Sequence, residues 1–136
     1  MPSHADPDTR AFYLAGACHA FALALAERTG WSLAALVDDA RGYDDTGCFP
    51  LVAHVLAADD RDGFWDVTGR HTLSELKAAY PDLQAPRIYW FAGARELAED
   101  WSGESDARPL HALDGREMTA AREAVAQAFP NRFRTG

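Results

Sequence analysis

The sequence predicts an α+β fold built on a small, mainly antiparallel sheet. Two observations lead there. Short apolar runs at 31–38, 51–58, 64–69 and 87–92 have strand length, and a turn of hairpin size joins the second to the third. Apolar residues with helical spacing at 12–29 and 117–129 frame those runs toward the two ends of the chain. The order helix, strand, hairpin, helix, strand, helix, helix is that of an α+β protein.

Each element has a local reason. Residues 1–10, "MPSHADPDTR", are polar and read as a loose lead-in. On the helix over 12–29, Cys18, Phe21, Ala22 and Leu25 share a face, and Gly30 stands where a helix C-terminal glycine belongs. "WSLAALVD" (31–38) is a short buried strand. "DARGYDDTGCFP" (39–50) is dense in Asp, Gly and turn residues, so it reads as a long loop, and loops of that length are often functional. "LVAHVLAA" (51–58) is apolar on both faces, as a covered central strand is. "DDRDG" turns the chain into "FWDVTG" (64–69), a second strand ending in glycine. Thr72 and Glu75 then form a capping box for a helix that stops before Pro81. "RIYWFA" (87–92) is a further strand, "ARELAEDW" a short helix, and "EMTAAREAVAQAF" (117–129) a terminal helix.

The chain has 136 residues, most simply one domain over 1–136 and long enough to bury a core without staples. Apolar residues are 48% and charged residues 25%, an ordinary globular balance. A net charge of -8 argues against nucleic acid or an anionic membrane as partner, since both need concentrated positive charge. Two cysteines make neither a disulfide framework nor a zinc knuckle. The polar N-terminus is no signal peptide, and no apolar run approaches the ~20 residues of a membrane span. The cytoplasm is therefore the expected compartment, and export by a signal-less route is compatible with the same sequence.

The hairpin carries the chemistry. Pairing residue 57 with 63 sets His54 opposite Asp66, on one face, with Cβ atoms roughly 4.5–5.5 Å apart. A slip of two residues preserves the shared face and a slip of one destroys it. A carboxylate so placed accepts a hydrogen bond from one imidazole nitrogen and leaves the other free. Cys18 opens a helix, where the field favours thiolate, and a neighbouring imidazolium lowers its pKa further. If the first helix lays its Cys18 face on the His54 face of the sheet, nucleophile, base and orienting acid converge. The first-turn N–H of Cys18 is then one oxyanion donor, with Tyr13 and His19 as candidates for the second.

"GACHAFALALAERTGW" followed by "VAHVLAADDRDGFWDVTG" resembles the core shared by transglutaminase-like proteins, arylamine N-acetyltransferases and the wider papain-like superfamily. In the transglutaminase-like branch a Cys opens a helix, a His follows on a strand, and an Asp follows on the next strand; Cys18, His54 and Asp66 keep that order. The likeness covers residues 14 to 72. It departs from the acetyltransferases, whose Arg-Gly-Gly before the Cys is replaced here by "LAGA", and from papain, whose Cys-to-His separation is much longer. The resemblance implies a papain-like core with an N-terminal catalytic helix on one sheet face. It also implies a thiol-dependent cysteine peptidase, deamidase or transglutaminase-like acyltransferase, needing no cofactor and acting on a peptide, protein or small amide or acyl substrate.

Each residue also has a plainer fate. Cys18 alone is more often buried filler, His54 alone a core histidine, and Asp66 before Val-Thr-Gly a turn cap; together, in order and on facing strands, they favour a triad. His19 points away from the partners of Cys18. Cys48 reads as a spare thiol. Tyr43 in the long loop is a candidate for an acyl-binding groove, with that loop as a substrate lid. Arg70 and His71 are candidates for a substrate carboxylate or phosphate, with solvent as the plainer fate of Arg70 and the place before the helix cap as that of His71. Trp65 is a candidate for the core or the rim of the site. A zinc site from Cys18, His54 and Asp66 lacks a close-spaced ligand pair and ranks below the triad, so no metal is expected. The rival from another class is a non-catalytic module that uses the same fold to bind a basic partner with its acidic surface.

Overall fold

The computed structural model describes residues 3–14, 18–39, 51–91 and 115–130. In chain order these form α1 (Pro7–Leu14), α2 (Cys18–Thr29), β1 (Ser32–Asp38), β2 (Leu51–Ala58), β3 (Phe64–Asp66), β4 (Gly69–His71), α3 (Leu73–Ala79), β5 (Pro86–Phe91) and α4 (Gly115–Ala128). The strands make one five-stranded sheet in the order β4-β3-β2-β1-β5, antiparallel throughout. The fold is α+β, as the sequence predicts. The expected helix over the "ARELAEDW" stretch and the loop at 40–50 lie outside the described residues.

The N-terminal region departs from expectation twice. A single helix over 12–29 is replaced by two, α1 and α2, and residues 3–10 are not a loose lead-in. Asp6 caps α1 by accepting from the N–H of Thr9 at 2.8 Å, and Pro7 occupies the first helical position, where its missing donor costs nothing. His4 donates its backbone N–H to the carbonyl of Ala128 at 2.8 Å, and Ala5 is buried. The start of the chain is thereby tied to the end of α4.

Helix α2 is apolar around most of its circumference, and such a helix is buried rather than amphipathic. Cys18 through Ala22, with Ala24 and Leu25, are all buried. One side, with Phe21 and Leu25, packs on Ala57, Trp65 and Val67 of the sheet and on Ala121, Ala124 and Val125 of α4. The other side, with Cys18 and Ala22, packs on Ala35, Val37 and Val55. Across the sheet, Ala34, Leu36, Leu56, Ala58 and Phe64 pack beneath Leu76 of α3. The sheet is covered on both faces, which explains the unbroken apolar runs in β1 and β2.

The β2–β3 hairpin closes as Ala58↔Phe64 and Ala57↔Trp65, two residues out of the expected register. The loop keeps five residues, 59–63, with Asp59 at its foot. The Asp59 carboxylate accepts from the N–H of Arg61 and of Gly63, from Trp65 Nε1 at 2.9 Å and from Arg70 Nε at 2.9 Å. A Cβ at Gly63 would collide with the Arg70 guanidinium and the Asp59 carboxylate, so that close approach requires glycine. The stretch expected as one strand over 64–69 is itself a hairpin: Asp66 pairs with Gly69 around Val67 and Thr68, and the chain returns as β4. The capping box on α3 forms as expected, with Thr72 Oγ1 accepting from the N–H of Glu75 and Glu75 accepting from that of Thr72. Among the described residues no single helix is long and apolar enough to cross a membrane.

Candidate active site

His54 and Asp66 lie on adjacent strands. The two-residue slip makes them diagonal rather than directly opposed, but because strand side chains alternate with a period of two, both still point to the face of Leu56, Ala58 and Phe64. His54 Nε2 and Asp66 Oδ2 are 2.9 Å apart, with His54 1% and Asp66 6% exposed. The other ring nitrogen, Nδ1, is buried and makes no hydrogen bond that meets normal geometry among the described residues.

Cys18 reaches this pair by a route the sequence does not predict. Helix α2 packs on the Val55 and Ala57 face, opposite to His54. The expectation that it lies on the His54 face is therefore corrected. Cys18 and His54 meet where β3 ends. β3 pairs with β2 only at Ala57 and Ala58, so the N–H of Val55 is not taken by β3, and it donates to Cys18 Sγ at 3.4 Å. The sulfur occupies the position a longer strand would have filled. Cys18 is 7% exposed, so the thiol is largely covered.

The electrostatics follow from these contacts. Burial pushes the Cys18 thiol up, but hydrogen bonding from His19 and His54, the charge of His54 and the N–H of Val55 outweigh it and bring the thiol down to about 6. Burial pushes His54 down, and its hydrogen bonds to Asp66 and Cys18, with the charges of both, raise it to about 9. Nδ1 makes no formed hydrogen bond among the described residues, yet the imidazole and the thiol shift each other. Between those values the pair is a thiolate and an imidazolium.

Asp66 is held at both oxygens. Oδ2 takes His54, while Oδ1 accepts from the N–H of Thr68 at 2.8 Å, from the Thr68 hydroxyl and from His71 Nε2 at 3.1 Å. Burial pushes its carboxyl up, but the bonds from His54 and His71 dominate and hold it well below the usual carboxylate range. Asp66 thus bonds the imidazole through one oxygen and the turn through the other. Tyr80, at the C-cap of α3, lies over the imidazole with ring centroids 5.8 Å apart and planes at 32°. Burial first, then the charges of Asp66 and Cys18, push its phenol up to about 12, so it stays neutral.

The remaining candidates distribute unevenly. His19 is 1% exposed and acts on the Cys18 thiol. Tyr13 is buried against Phe21, with ring centroids 5.5 Å apart, and lines a surface hollow of about 370 Å³ against α4. Trp65 is not at a rim: it is buried between Trp31 and Phe129. Arg70 is engaged by Asp59 and by the carbonyl of Arg61, which ties it to the hairpin loop. Tyr43 and Cys48 lie outside the described residues. Two further residues belong to the constellation: His71, expected as a substrate contact or the residue before the helix cap and found bonded to Asp66, and Tyr80, which the sequence does not single out. The signal for His71 was present, since Asp at the first and Gly at the fourth position of "DVTG" are the residues of a type I turn. That turn brings residue 71 back beside 64. Among the described residues no three His, Cys, Asp or Glu side chains are placed to hold a metal ion. No family model, curated protein or solved structure matches the chain.

Proposed function

We propose that this chain carries out thiol-dependent acyl transfer or amide hydrolysis, with Cys18 as nucleophile, His54 as acid and base, and Asp66 as the group that orients the ring. The observation that carries it is a buried imidazole bound to a carboxylate through Nε2, its Nδ1 left for a helix-start thiol that is brought down to about 6. A packing cysteine needs none of this arrangement, and desolvation alone would keep it a thiol.

The thiolate attacks a carbonyl carbon, and the carbonyl π pair moves to oxygen. The N–H of Cys18, in the first turn of α2 and without an intrahelical acceptor, is available to that oxyanion. As the tetrahedral species collapses, the bond to the leaving amine breaks and His54 Nδ1–H supplies its proton. The neutral imidazole next takes a proton from water, an amine or a thiol. That nucleophile attacks the thioester, expels the Cys18 thiolate and leaves His54 protonated again. Asp66 keeps one nitrogen occupied throughout, so the other stays directed at the chemistry.

Incubation with p-nitrophenyl acetate, followed by intact-mass and peptide mapping, tests the proposal. An acetyl group on Cys18 in the native chain, absent in Cys18→Ser and strongly reduced in His54→Ala, is the expected result. No adduct at any pH from 6 to 9, with the thiol titrating near its ordinary value, would favour the rival binding module, to which the 7% exposure of Cys18 lends support.

A further inference from the structure

We propose that His71 is a positioning residue of the same site: it holds the second oxygen of Asp66, and when protonated it loosens the hold of Asp66 on His54. In its consequence for the thiol this rests on the acyl-transfer proposal above; the linkage between the two rings is measurable without it.

The geometry is a carboxylate shared by two imidazoles. His54 Nε2 is 2.9 Å from Oδ2 and His71 Nε2 is 3.1 Å from Oδ1, with the Thr68 hydroxyl 2.8 Å from the same His71 nitrogen. The two rings differ in access. The His54 side chain is 1% exposed and the His71 side chain 26%, so His71 is where the buried network meets solvent and can exchange protons. The charged and titratable groups acting on His71 come from three elements: Asp66 of β3, Glu75 of α3 and His54 of β2. The bond to Asp66 is the largest influence and favours the charged ring, as does Glu75, while the charge of His54 opposes it. Linkage is reciprocal, so a cationic His71 must disfavour a cationic His54 by the same amount.

The consequence falls on the midpoint of the thiol. His71 is raised above its ordinary 6.5, by its bond to Asp66 first, so on lowering the pH it is charged before the Cys18 thiolate is protonated at about 6. The charged ring draws on Asp66 and weakens the imidazolium that the thiolate depends on, so the thiolate is lost at a higher pH than beside a residue that never charges.

The test measures the ring titrations of His54 and His71 by imidazole NMR and the iodoacetamide labelling rate of Cys18 from pH 4.5 to 8. The native chain is compared with His71→Gln, whose amide keeps a donor for Asp66 but never charges, and with His54→Gln. Labelling should fall by about tenfold per pH unit on the acid side in both chains, the slope of one proton, with the acid midpoint lower in His71→Gln than in the native chain. The His71 titration should move up in His54→Gln. Identical acid midpoints in the native chain and His71→Gln, with a His71 titration indifferent to His54→Gln, would overturn the proposal. A native thiol that labels only near its ordinary pKa would instead sink the acyl-transfer proposal, and the ring titrations would still decide whether His71 and His54 are linked. If His54→Gln does not fold, the His71→Gln midpoint and the His54 titration in that variant decide alone.

Discussion

Replacing His54 by alanine should move the titration of the Cys18 thiol upward, and its size follows from the contacts. The thiol sits at about 6 against an ordinary 9.0. That difference is about a thousandfold in favour of thiolate, or about 4 kcal/mol. Burial opposes it, and four influences produce it: hydrogen bonding from His19, hydrogen bonding from His54, the charge of His54 and the Val55 N–H. His54→Ala removes two of the four and leaves the burial in place, so the midpoint should rise by roughly 1.5 to 3 pH units. The rate at a single pH is a poor readout. At pH 7 the thiolate fraction would fall from about 90% to as little as about 1%. A more basic thiolate is intrinsically a better nucleophile, by roughly twentyfold for three pH units, which leaves a net loss of only about fivefold. Iodoacetamide labelling across pH 4.5 to 10 therefore reports the midpoint, with His54→Gln as a companion that fills most of the vacated space. A midpoint that stays near 6 in both variants would refute the assignment of His54 as the partner of the thiol.

Three further outcomes follow from the same contacts. Acyl transfer should rise through about pH 6 as the thiolate forms and fall through about pH 9 as His54 loses its proton, the two limbs belonging to the coupled pair and read from kcat/KM against pH. Asp66→Asn should lower kcat by roughly 10²–10⁴, since the amide no longer fixes the ring as a carboxylate does. Because the folded pKa of Asp66 is depressed, the stability it contributes is complete above about pH 4 and is lost as pH falls below its unfolded value of 3.8 toward the lower folded one. Urea midpoints should therefore drop more steeply between pH 5 and 2 in the native chain than in Asp66→Asn. Asp59→Ala should cost about 1–3 kcal/mol by urea unfolding, having stranded the hairpin amides, Trp65 Nε1 and Arg70, while the Cys18 labelling midpoint stays unchanged.

What was legible in the sequence and what was not divide along a physical line. His54 and Asp66 could be placed on one face because strand side chains repeat every two residues, and an error of two in register leaves that relation intact. The capping box at Thr72 and Glu75 was readable because it is local. The position of Cys18 depended on how a helix seats on a sheet, which no spacing within either element records. Spacing alone therefore places α2 on the wrong face, although the sulfur comes beside Val55 and His54 all the same. Tyr80 was unreadable for the same reason: its place over His54 depends on the angle at which α3 crosses the sheet. Helix α1 was missed although Asp6 and Pro7 mark its start, because with Tyr13 its one buried residue it carries no apolar stripe. The β3–β4 turn is masked in the sequence by Val67, whose apolar side chain continues the strand pattern between the turn residues on either side.

The three-residue length of β3 has a consequence for how such a site is gained or lost. The seat of the sulfur is a backbone amide that the hairpin leaves unclaimed. Two more rungs would hand that amide to the partner strand and leave the sulfur without its seat, with all three side chains still in the sequence. The number of rungs between β2 and β3 thus governs whether the cysteine can sit beside the histidine at all.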